Sequence, residues 1–288
     1  MLATNSGTVV DVFKQVVLSN VLSLQRPTEY WESHAQVALA PADPGDGHGM
    51  GHLVRVGGKN ISLARGALYT LLEPLHERKE LTHIPSTAWL AMRAVGKDAR
   101  RFLFCSTDAA SLQSIQAAQR ALGVVETKVE CIQEDGVALL RGAGMVLSDH
   151  WTASTLAFID PSDVAMATDA GISPLELWCE IANRGIPAMI AFTFGDTNGR
   201  AAVHAQFAEA IRKSRLNGRS LYRFEGSLVQ APVTAPPISW GFGVMGANLA
   251  ENAILSADRE LFAMQSIYAG TILEGWGDGM WKYSGERC

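Results

Sequence analysis

The chain has 288 residues with 24 basic and 29 acidic side chains, a formal net charge of −5. Hydrophobic residues make up 48% and charged residues 18%, which excludes disorder and coiled coil as the main state and gives enough core to fold without disulfides or structural metal. The acidic balance argues against a nucleic-acid partner gripped through many phosphates.

Cys105, Cys131, Cys179 and Cys288 form no CxxC pair, and their spacing suits neither a zinc site nor a secreted disulfide framework. His48 and His52 stand four apart, but the glycines around them disfavour the helix that such spacing needs, so no metal site is expected. The opening MLATNSGTVVDVFK shows no basic region followed by an apolar one, and the apolar runs fall short of the roughly 18 residues of a membrane span. These features predict a cytoplasmic, non-membrane protein with a single domain over 1–288.

In chain order, residues 11–24 carry an amphipathic helix with Val12, Val16, Val17 and Val21 on its apolar side. Glu29–Glu32 reads as a strand and residues 41–49 as a Gly/Pro/Asp-rich loop. The spacing predicts helices over 61–80 and 86–95. Beyond residue 100 the pattern alternates: strand 101–105, helix 111–122, strand 127–132, short helix 135–140, strand 155–159, helix 174–183, strand 187–194, helix 203–214, then last strands at 220–224 and 240–245. Such alternation predicts an α/β protein with a mostly parallel sheet and helices on both faces. In such sheets ligands bind beyond the carboxyl ends of the strands, where Asp160, Ser106 to Asp108, and Glu32 to Gln36 all fall.

Several segments carry a resemblance in order. Phe158-Ile159-Asp160-Pro161 is similar to the strand and Asp-Pro that open the D-P-P-Y motif of N6-adenine methyltransferases. Asn5-Ser6-Gly7-Thr8-Val9-Val10-Asp11-Val12-Phe13-Lys14-Gln15 resembles the H-A-G-N-x-A-D-V-x-K-H opening of the RlmJ family, which methylates an adenine of large-subunit ribosomal RNA. Glu32-Ser33-His34-Ala35-Gln36-Val37-Ala38 stands where that family has D-T-H-A-G-A-G, its S-adenosylmethionine loop. Ile84-Pro85-Ser86-Thr87 resembles Y-P-G-S, Glu134-Asp135-Gly136 resembles A-D-G, and Phe242 to Asn248 falls where the family has a strand ending in N-P-P. The resemblance implies a Rossmann-like class I methyltransferase fold with a small helical insertion, here residues 42–86. It also implies that Lys14, Gln15, Thr87, Asp108 and Asp135 lie at the S-adenosylmethionine site, with Asp160 facing the reacting nitrogen.

The departures from that pattern bear on function. Gln36, Val37 and Ala38 replace G-A-G, a loop whose lack of side chains lets backbone approach the cofactor, so S-adenosylmethionine binding is expected to be weak or absent. Pro161-Ser162-Asp163 lacks the ring that stacks on a flipped base, a contact worth roughly 1–3 kcal/mol. Asp160 and Asp163, three apart, are read as a carboxylate pair in which each raises the other's pKa, and His34 as a third catalytic candidate. Three readings stay open. The first is a repurposed enzyme that acts on a small molecule by acid–base assisted substitution or cyclisation, in a biosynthetic setting. The second is an S-adenosylmethionine-dependent N-methyltransferase of RNA adenine or a small amine. The third is a non-catalytic subunit of a homo- or hetero-oligomer, docked through Trp276 and Trp281.

Overall fold

The structure, a computed structural model, describes residues 8–42, 49–77, 80–124, 126–195, 197–216, 219–230, 238–268 and 280–288. Asn5-Ser6-Gly7, His48 and Trp276 lie outside them, as does the Trp281 side chain.

Helix α1, Val9–Gln25, starts at a capping box: the Asp11 amide donates to the Thr8 hydroxyl, and the Asp11 carboxylate accepts from the Thr8 amide. This cap sets the rotation of the first turn and so the direction in which Lys14 and Gln15 project. The large sheet has eight strands: β1 Glu29–Glu32, β2 Arg101–Cys105, β3 Lys128–Ile132, β4 Thr155–Ile159, β5 Ala188–Phe194, β6 Leu221–Gln230, β7 Ile238–Ala247 and β8 Met280–Arg287. Their spatial order is β8-β6-β7-β5-β4-β1-β2-β3. Strands β1 to β5 are mutually parallel, whereas β7 runs antiparallel between β5 and β6, and β8 antiparallel to β6. The sheet is thus mostly parallel, with its order reversing at β1.

The strand period of two divides the core. Tyr30, Phe102, Phe104, Leu156 and Phe158 face one layer with α1. Their alternates Trp31, Leu103, Cys105, Ala157 and Ile159 face the other. The first layer holds α1, α5 (Thr87–Val95), α6 (Ala109–Ala121) and α11 (Glu251–Tyr268); the second holds α7 (Gly136–Val146), α9 (Pro174–Asn183) and α10 (Thr197–Lys213). With both faces covered, the central strands are buried throughout, which is why they read as short apolar runs.

The span 61–80, predicted as one helix, is broken into α3 (Ile61–Ala64), α4 (Ala67–Leu72) and a 3-10 turn at Glu73–Leu75. The break is at Gly66, where a Cβ would stand 2.3 Å from Glu260 Oε1. Glu260, buried on α11, accepts from the backbone of Ala67 and Leu68 and so caps α4 from a distant helix. Helix α7 runs on to Val146, past the predicted end at 140. Helix α2 (Met50–Gly57) falls within the helical insertion expected over 42–86, whereas the short helix α8 (Asp149–Thr152), α11 and strand β8 have no counterpart in the sequence pattern.

Candidate functional site

The carboxyl ends of β1 and β4 open side by side, and the segment after β1 is pinned between its neighbours. The Ser33 amide donates to the Phe158 carbonyl at 3.1 Å, and the Ala35 amide to the Cys105 carbonyl at 2.7 Å. Gly136, at the start of α7, presses on this segment so closely that a Cβ would meet the Ser33 carbonyl oxygen at 1.8 Å.

Lys14, one turn into α1, reaches across this opening. Its Nζ lies 2.7 Å from Asp160 Oδ2 and 3.3 Å from Asp11 Oδ1, and the Lys14 and Asp160 side chains are each 13% exposed. Burial by itself lowers a lysine pKa; here the Asp160 and Asp11 carboxylates outweigh it, so the ammonium is held charged above its ordinary value.

Behind the pair, Glu32 at the end of β1 is fully buried. It accepts from the Thr87 hydroxyl at 2.6 Å and the Tyr30 hydroxyl at 2.8 Å. Burial pushes its carboxyl up to about 7, against the two hydroxyls, and Asp160 adds to the rise. His34 is lowered by burial, opposed by the Asp160 and Asp135 carboxylates, and its Nδ1 lies 2.6 Å from the Ser33 hydroxyl.

The structure brings together Lys14, Gln15, Thr87 and Asp160 around one crevice, lined also by Gln36 and Val37. His34 stands within electrostatic reach of Asp160 and Asp135. Three predicted residues are engaged elsewhere, Asp135 through the Val137 amide at the start of α7. Asp163 accepts from the amides of Ala165 and Met166, a local turn, while Asp160 is ion-paired with Lys14. Asp108 caps α6, accepting from the amides of Ala110 and Ser111 and from the Ser111 hydroxyl. Glu32 was not singled out as a site residue. The signal for it was present: a carboxylate at the carboxyl end of a strand too short and too central to reach water.

The crevice leaves about 20 Å³, room for one water molecule, whereas pockets for cofactor-sized ligands run to roughly 300 Å³ or more. The Gln36 and Val37 side chains line that space, and the Asp108 carboxylate is committed to its helix cap. Gln36 and Val37 thus set side chains against the crevice where the G-A-G loop has almost none. Among the described residues no group of three or more His, Cys, Asp or Glu could hold a metal ion, and no helix is long and apolar enough to cross a membrane.

No family model matches the chain, and no curated protein does. Among solved structures, the Legionella pneumophila protein LPL1258, of family model DUF519, superposes with a TM-score of 0.69 at 17% identity, over 98% of this chain and 97% of that one. Weaker likenesses reach an S-adenosylmethionine-dependent methyltransferase from Agrobacterium tumefaciens (TM-score 0.44, 11% identity, 83% of this chain and 62% of that one). An O-methyltransferase from Bacillus cereus in complex with SAH gives 0.38 at 9% identity, over 81% and 80% of the two chains. The chain has a Rossmann-like α/β fold, a mostly parallel eight-stranded sheet between two helical layers, which it shares with LPL1258.

Proposed function

We propose that this protein is a methyltransferase-fold enzyme that acts on an amine nitrogen of a small molecule, as a divergent relative of the RlmJ-like family, and without S-adenosylmethionine. The observation that carries the reading is the Lys14–Asp160 pair at the mouth of the parallel sheet. Asp160 is the group for an attacking amine to lose its proton to, and Lys14 holds that carboxylate in place. The reaction class that fits is an intramolecular substitution, a cyclisation within one molecule. The amine nitrogen forms a bond to an electrophilic carbon of the same molecule, the leaving group departs with the broken bond's electron pair, and the amine proton passes to Asp160. No second reactant is then needed in so small a crevice.

A small molecule rather than RNA is supported by the net charge of −5 and by Ser162 and Asp163 standing where a base-stacking ring would be. S-adenosylmethionine-dependent N-methylation is the second reading. One observation favours it: the buried Asp135 Oδ2 has no partner among the described residues, at the position the resemblance assigns to the cofactor adenine.

Titration calorimetry of the full chain with S-adenosylmethionine and its demethylated product separates the two. The expected result is no binding in the low micromolar range. A low-micromolar dissociation constant would promote the methyltransferase reading.

A further inference from the structure

Gln15 follows Lys14 on α1 and stands where the family pattern has His. Its side chain is only 4% exposed. Its Nε2 donates to the Pro85 carbonyl at 2.8 Å, and its Oε1 is buried without a hydrogen-bond partner. The amide orientation follows from the first bond, since the reverse would set Oε1 against the Pro85 carbonyl oxygen, two acceptors face to face. A buried carbonyl at the edge of a crevice is thereby left asking for a donor.

The same crevice is lined by the Asp160 carboxylate, an acceptor for the N–H of a cation. Its free space of about 20 Å³ matches a single water or a single ammonium nitrogen. The carboxylate, the size and the orphan acceptor agree on one chemistry.

We infer that Gln15 is a specificity-determining residue that receives the primary ammonium head of the substrate. One N–H goes to Gln15 Oε1 and another to the Asp160 carboxylate. This rests on the amine-directed reading above and narrows it to primary amines. A quaternary ammonium offers Oε1 no hydrogen and exceeds the space. A secondary amine keeps a donor but adds a carbon where only the nitrogen fits.

The test is calorimetric titration of the full chain with propylammonium and tetramethylammonium, repeated on Gln15→Met, Gln15→Leu and Asp160→Asn, with thermal unfolding followed for each. Propylammonium is expected to bind and tetramethylammonium not. Gln15→Met, which removes the acceptor and keeps the length, is expected to weaken propylammonium about tenfold or more. Gln15→Leu, which also removes the acceptor, is expected to show the same loss, so it decides the matter if Gln15→Met does not fold.

Equal binding to wild type and Gln15→Met, or equal binding of the two ammonium ions, overturns the proposal; so does no propylammonium binding at all, in which case the crevice holds water only. Loss in Asp160→Asn with none in Gln15→Met overturns the role of Gln15 alone. Loss in Gln15→Met with none in Asp160→Asn overturns the reading of Asp160 and so the shared cradle.

Discussion

Lys14 and Asp160 lie 146 residues apart in the chain and meet at 2.7 Å across the opening between α1 and β4. Removing the cation leaves the mostly buried Asp160 carboxylate without its ion-pair partner. Breaking such a pair from one side costs more than the pair itself contributes, because the surviving charge stays desolvated. Lys14→Met is therefore expected to destabilise the fold by about 3 kcal/mol, read as a lower urea midpoint with an unchanged slope. An unchanged midpoint would place the pair in solvent.

Asp160→Asn keeps the shape and removes the proton acceptor. Turnover of the true substrate is expected to fall on the order of 10²–10⁴-fold, the range for a general base, while Asp163→Asn, which touches only a turn, is expected to cost far less. Full turnover in Asp160→Asn would remove Asp160 from the chemistry.

Two buried carboxyls make stability depend on pH. Burial raises Glu32 and Glu260 from 4.5 to about 7 each. Between those values the folded chain binds more protons than the unfolded one, so stability falls as pH rises. The contribution is fully present below 4.5 and is lost as pH passes 7. Urea unfolding at pH 5 and pH 8 is expected to show the lower stability at pH 8, with each carboxyl accounting for about 3 kcal/mol at most. Glu260→Gln is expected to flatten part of that slope; a slope unchanged in this variant would contradict its assignment.

Helix α7 offers a paired comparison. Gly136→Ala drives a Cβ onto the Ser33 carbonyl oxygen, a backbone atom with nowhere to go, and is expected to cost about 2 kcal/mol or more and to displace the segment that carries His34. Gly142 sits inside the same helix with nothing within 4 Å of its Cβ direction, so Gly142→Ala is expected to stabilise by about 0.5–1 kcal/mol. Melting temperatures shifting in opposite directions would confirm both; a shared sign would refute the geometry.

Trimming the loop after β1 tests the fit to the cofactor. The double change Gln36→Gly with Val37→Ala restores small side chains at the crevice. It is expected to bind S-adenosylmethionine at least about tenfold more tightly than the wild type, a gain of about 1.4 kcal/mol, by calorimetry. No gain would mean that the obstruction lies elsewhere.

Much of the sheet was determined by local sequence. Arg101–Cys105 and Thr155–Ile159 are short runs of apolar residues between turn signals, and both faces of a central parallel strand must be apolar, so position, length and class follow from composition alone. Ser173 and Glu176 of α9 form a capping box as local in sequence as in space. The short-range pattern failed where a distant group intervened. Gly66 looks like a tolerable interruption of one helix until Glu260, 194 residues on, takes the freed amides of α4. Helix α11 hides for the same reason: its inward face carries that glutamate, and a charge on the buried side weakens the apolar period. The site divides likewise. Sequence placed Asp160 and His34 beyond strand ends, because strand termini are local. Tertiary structure alone decided that Asp160 answers to Lys14 and that Glu32 is dry and bonded to Thr87. Partnership and desolvation belong to whatever the chain brings close, and a contact across 146 residues leaves no mark on the local pattern at either end.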